Sequence, residues 1–66
     1  MIKISLNGEE LLFEKAPTLV EVLERMEIPR QFIAVERNGD IFEGDFAECV
    51  LSDGDNLEIA RFVGGG

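Results

Sequence analysis

The residues able to do chemistry are few, and they lie in the last third of the chain. Gly64-Gly65-Gly66 close the sequence directly after the alternating run Leu57-Glu58-Ile59-Ala60-Arg61-Phe62-Val63. Glycine has no Cβ and tolerates almost any φ/ψ. Three in succession at a chain end are expected to make a thin, mobile segment that can carry a terminal carboxylate into a narrow slot. The single thiol, Cys49, could accept a persulfide, but a lone cysteine between Glu48 and Val50 reads as a small buried hydrophobe. Asp53 and Asp55 flank Gly54 and suggest Ca²⁺ at first sight. Two carboxylates supply too few oxygens, however, and no glutamate closes an EF-hand loop, so both read as turn residues.

Composition narrows what can position these groups. Sixty-six residues make one domain. At that size, under about 70–80 residues, a core rarely supplies more than ~3–5 kcal/mol. With 45% hydrophobic residues in regular alternation the chain is globular rather than disordered. One cysteine allows no internal disulfide, and the lack of histidine removes the Cys/His sets of structural zinc sites. An iron–sulfur cluster would need about four thiolates. No metal site and no bound cofactor are expected. No apolar run approaches the ~18 residues of a membrane span, and the N-terminus is strand-like rather than a signal sequence, so a cytoplasmic protein with no membrane partner is expected. Fourteen acidic residues against six basic ones give a formal charge of −8. That repels a nucleic-acid backbone and suits a basic protein surface as partner, besides keeping the domain soluble.

The elements are set by periodicity and turn chemistry. Ile2, Ile4 and Leu6 alternate on one side of a first strand, Asn7-Gly8 favours a tight hairpin, and Leu11-Leu12-Phe13-Glu14 is the returning strand. Thr18 with Glu21 three residues on reads as a capping box. It starts a helix whose inward stripe is Leu19, Val22, Leu23 and Met26, with Met26 as core rather than a soft ligand, and which ends near Glu27 ahead of Pro29. Phe32 to Arg37 is a third strand with Ile33 and Val35 inward and Ala34 and Glu36 outward. Asn38-Gly39 is a second tight turn, Ile41-Phe42 a short partner strand, and the less regular stretch from Gly44 is anchored by Phe46, Val50 and Leu51. After the turn Ser52-Asp53-Gly54-Asp55, a last strand begins at Asn56 with Leu57 and Ile59 inward and Glu58, Ala60 and Phe62 outward. Residues 1–63 form the folded domain and 64–66 a flexible tail.

This order resembles the ubiquitin-like β-grasp, an α+β fold with a mixed sheet of four to five strands packed on one main helix. In that fold the last strand lies centrally beside the first, and the residues beyond it leave the sheet as a tail. Within it the chain resembles the ThiS family of sulfur carriers in thiamin biosynthesis, on Val35-Glu36-Arg37-Asn38, Asp53-Gly54-Asp55 and the ending Phe62-Val63-Gly64-Gly65-Gly66. The related MoaD family, which serves molybdopterin synthesis, is similar but typically longer. The resemblance covers the whole chain. It implies a protein with no catalysis of its own whose Gly66 α-carboxylate, ionised at neutral pH, is adenylated by a ThiF-like enzyme using ATP and Mg²⁺. Sulfur from a donor such as a cysteine desulfurase then gives a thiocarboxylate for a ThiG-like thiazole synthase, with Gly64 and Gly65 kept small so the tail can enter. Ala34, Ala60, Phe62 and Val63 beside the tail, rimmed by Glu36 and Glu58, are the candidate partner-binding residues. The free carrier is expected to be a monomer. A ubiquitin-like modifier acting through the same Gly66, and a non-covalent TGS-like β-grasp module with incidental glycines, are the readings from other classes.

Overall fold

Two Asn-Gly pairs set the local geometry from which the sheet grows. Asn7 and Gly8 hold φ of 48° and 85°, and Asn38 and Gly39 hold 53° and 90°. Positive φ at both central positions twists a two-residue turn in the sense that matches paired strands. The first turn joins β1 (Ile2–Leu6) to β2 (Glu9–Phe13), and the second joins β3 (Ile33–Arg37) to β4 (Asp40–Ile41). Between these hairpins lies α1 (Leu19–Arg25), and β5 (Asn56–Arg61) completes the set. The computed structural model describes residues 1–62; the readings made on Val63, Gly64, Gly65 and Gly66 lie outside the described residues.

The sheet has five strands in the order β2-β1-β5-β3-β4. β5 is therefore central, parallel to β1 on one side and antiparallel to β3 on the other. This mixed sheet against one helix is the β-grasp arrangement expected from the sequence. Ile4, Leu6, Leu11, Phe13, Val35 and Leu57 project from one face of the sheet and close over Leu19, Val22 and Leu23 of the helix, with Leu51 from the segment ahead of β5 completing the core. The capping box is present: the Glu21 amide donates to Thr18 Oγ1 at 3.2 Å and the Thr18 amide to a Glu21 carboxylate oxygen at 2.9 Å. Such a cap is worth about 1 kcal/mol, a useful share for a helix this short.

Three expectations are corrected. The helix ends at Arg25, with Met26 as C-cap and Glu27 at φ 56°, so a left-handed residue stops it two positions before Pro29 can act. The third strand begins at Ile33, because Phe32 has φ 59° and breaks the extended run. In the irregular stretch a 3₁₀ turn at Phe46–Glu48 leads into an extended segment in which Cys49 and Leu51 point inward. Val50, expected as an anchor, is 56% exposed and instead bridges Thr18. The 3₁₀ turn shifts the inward phase by one residue, which puts Cys49 where Val50 was expected.

Candidate docking face and tail exit

The Arg37-Asn38 pair and Asp55 come from opposite ends of the second half of the chain, and the fold bolts them together. Arg37 Nε donates to Asp55 Oδ2 at 3.1 Å and Arg37 Nη2 forms an ion pair with the same oxygen at 2.9 Å, while Asn38 Nδ2 donates to Asp55 Oδ1 at 3.0 Å. The Ser52 amide donates to the same carboxylate at 2.8 Å, while Arg37 Nη2 also reaches the Val50 carbonyl. Asp53 accepts from the Lys3 amide at 2.7 Å. Asp55, read from sequence as a turn residue, is thus a buried strut that ties the entry of β5 to β3. Cys49 is buried beside it with Arg37 Nη1 at 3.7 Å from its sulfur.

Burial pushes the Asp55 carboxyl up, but the bonds from Ser52, Asn38 and Arg37 and the Arg37 charge outweigh it and hold the group below its ordinary 3.8. A carboxylate depressed on folding contributes stability that is fully present above the unfolded value and lost as pH falls through the folded one. Acid unfolding followed by circular dichroism is therefore expected to steepen below about pH 3.8, with Asp55→Asn flattening that dependence.

Beyond this bolt, β5 is held on the β3 side up to Phe62 and on the β1 side as far as Ile59. Asn38 N–H bonds Asn56 O and Phe62 N–H bonds Phe32 O at 2.7 Å, which makes Glu36↔Glu58 and Ala34↔Ala60 hydrogen-bonded pairs of the same antiparallel ladder. On the other side β1 stops at Leu6, and the Asn7 side chain takes its place, accepting from Ile59 N at 2.8 Å and donating to Ile59 O at 3.2 Å. The outgoing strand is thus fixed in direction as far as Phe62.

On the sheet face turned away from the helix, Ala34 and Ala60 stand opposite each other, as do Glu36 and Glu58. With Asn7, Ile41 and Ile59 these four line a shallow depression of about 310 Å³. Like charges directly opposite across a ladder cost a few tenths to about 1 kcal/mol, and among the described residues neither glutamate has an ion-pair partner. Phe62 does not share this depression. It is 59% exposed and lines a second one of about 220 Å³ with Pro29, Gln31, Phe32 and Arg61. The expected single patch is therefore two neighbouring ones. Asn7, Ile41 and Phe32 are the residues that sequence reasoning missed. Only the Asn-Gly signature hinted at Asn7, and nothing in the periodicity separated Phe32 from the strand behind it. Phe32 sits in a conformation that costs a non-glycine residue on the order of 1 kcal/mol.

Comparison with known proteins places this geometry in a family. The model of the ThiS family matches residues 3–66. A Bacillus subtilis protein named sulfur carrier protein ThiS is 34% identical over 65 residues, covering 96% of this chain and 98% of that one. The chain belongs to the ThiS family. The crystal structure of a thiamine biosynthesis protein (ThiS) from Geobacter metallireducens superposes with a TM-score of 0.76 at 28% identity, over 98% of this chain and all of that one. A thiazole synthase of Paramagnetospirillum magneticum is 38% identical over 66 residues, and the chain spans 20% of that protein's length. A second thiazole synthase, from Magnetococcus marinus, matches at 36% over the same share. The resemblance to the ThiS family read from Val35-Glu36-Arg37-Asn38, Asp53-Gly54-Asp55 and the glycine ending is borne out. No helix among the described residues is long and apolar enough to cross a membrane.

Proposed function

We propose that this ThiS-family chain carries sulfur for thiazole formation as a thiocarboxylate on Gly66, acting in the cytoplasm as a co-substrate of other enzymes. The observation that carries the reading is the central strand β5, held on the β1 side as far as Ile59 and on the β3 side as far as Phe62, which fixes where the chain leaves the described sheet. In the first step a Gly66 carboxylate oxygen attacks the α-phosphorus of ATP in the site of a ThiF-like enzyme. Pyrophosphate leaves, with Mg²⁺ offsetting the charge between the two anions. In the second, sulfur delivered by a persulfide attacks the acyl carbon and AMP leaves. A second thiol then attacks the delivering sulfur of the acyl disulfide, forming a disulfide with it and expelling the thiocarboxylate, so that the two thiols supply the two electrons. The relatives in which a sequence like this one makes up a fifth of a thiazole synthase support a ThiG-like acceptor, since fusion keeps donor and acceptor together.

The acidic depression is the docking face in this scheme. Glu36 and Glu58 tolerate mutual repulsion in the free domain and are relieved when a basic surface of the adenylating enzyme covers them. Chain-dependent exchange of pyrophosphate into ATP tests this. The wild type should support exchange, and Glu36→Lys/Glu58→Lys should raise the KM for the carrier by about tenfold at low salt, with the gap narrowing as salt rises. A double variant as good as wild type would remove the face from the scheme, and absence of exchange with the wild type would remove the scheme.

A further inference from the structure

On the reading that Gly66 bears the reacting carboxylate, four residues separate that group from Phe62, and four extended residues span at most about 14 Å. Any partner that takes the carboxylate into its active site must therefore lie against the end of the sheet from which the tail departs. Two aromatic rings stand there. Phe32 is 72% exposed and Phe62 59%, and neither belongs to the core or packs against it. Their backbones are joined by the Phe62 N–H to Phe32 O bond, one rung beyond the ends of β3 and β5. Phe32 reaches this position through a left-handed φ that bulky residues avoid, and its side chain stays largely exposed there. Charge changes here as well. Segments 28–35 and 59–66 contain Arg30 and Arg61 and no acidic side chain, so all fourteen acidic residues lie elsewhere.

We propose that Phe32 and Phe62 are the anchor by which the adenylating enzyme seats this domain, through an apolar collar at the mouth of its tail channel with a carboxylate opposite Arg61. Large rigid rings that become fully desolvated are the side chains that dominate binding at such contacts. The acidic depression beside them needs a basic surface, so the two patches together admit the domain in one orientation. The inference rests on the proposed function and adds to it the chemistry of the partner's surface and a role for Phe32.

Phe32→Gly separates this role from a structural one, because glycine accepts the φ of 59° without strain. The variant should melt no lower than wild type. In chain-dependent pyrophosphate exchange its KM should rise about ten- to thirtyfold, with kcat within about threefold. A photoreactive benzoylphenylalanine in place of Phe32 should crosslink to the enzyme, whereas one in place of Leu12, on β2 at the far side of the sheet from β3, should not. A KM within about twofold of wild type, a KM rise matched by a lowered melting temperature, or equal crosslinking from both positions would overturn the anchor. Failure of the wild type itself to support exchange would be seen separately and would fall on the underlying reading.

Discussion

Deleting Gly65 and Gly66 is expected to abolish sulfur loading while leaving the melting temperature within about 1 °C of wild type. Both halves rest on where the fold ends. The last core residue of β5 is Leu57, with Ile59 packed at its margin, and among the described residues the last backbone bond is the one from Phe62 to Phe32, so the deletion leaves every contact among the described residues in place. Its effect is on reach. Chemistry at a carboxylate held inside another protein depends on placement, and a displacement of about 1 Å can cost on the order of 10²-fold; a tail two residues short misses by several times that. Gly65→Val should lose about 10²-fold or more for a different reason, since its β-branched side chain widens the segment and restricts its backbone. Growth of a carrier-deficient strain without thiamin, beside thermal melting of the purified variants, reads both effects.

The second large effect is on stability. Asp55→Ala removes the acceptor of three hydrogen bonds, those from Arg37 Nε, Asn38 and Ser52, and the ion pair with Arg37 Nη2. It leaves a guanidinium that is only about a third exposed without its counter-ion. Breaking such a pair from one side costs about 3 kcal/mol. A domain of this size holds only ~3–5 kcal/mol in total, so melting should fall by roughly 15–20 °C and a visible fraction should be unfolded at 37 °C. Arg37→Ala should cost less, because Asp55 keeps the Asn38 and Ser52 donors. Urea denaturation of the two variants gives the order. Equal loss from both would mean that the pair, rather than the Asp55 hub, holds β5 to β3.

Much of this fold was legible because local signals agreed with one another. The Asn7-Gly8 and Asn38-Gly39 turns, the Thr18/Glu21 box and the alternation of Ile2, Ile4, Leu6 and of Leu57 with Ile59 each rest on a short-range rule, and each is met in the structure. The features that were not legible depend on long-range contact or on a single torsion. Cys49 is buried as read, but Val50 beside it is exposed because one 3₁₀ turn sets the phase, which periodicity cannot register over so short a stretch. Phe32 leaves the strand through one φ angle. Two of the three motifs that carried the family resemblance, Val35-Glu36-Arg37-Asn38 and Asp53-Gly54-Asp55, read along the chain as the end of a strand and a separate turn. In space they are halves of one hydrogen-bonded joint, which is the physical reason for both to be present in a domain with so small a core. The outward positions Ala34, Glu36, Glu58 and Ala60 were recoverable from period-two alternation. That Phe62 turns to a second patch was not, because its neighbour there is Phe32.

The measurement closest to the central claim is the intact mass of the chain after incubation with its adenylating enzyme, ATP, Mg²⁺, a persulfide donor and a thiol reductant. The expected result is a gain of about 16 Da, one oxygen exchanged for sulfur, localised by fragmentation to Gly66 and requiring ATP. No gain with an enzyme that is active on another carrier, or a gain carried by Cys49, would contradict it.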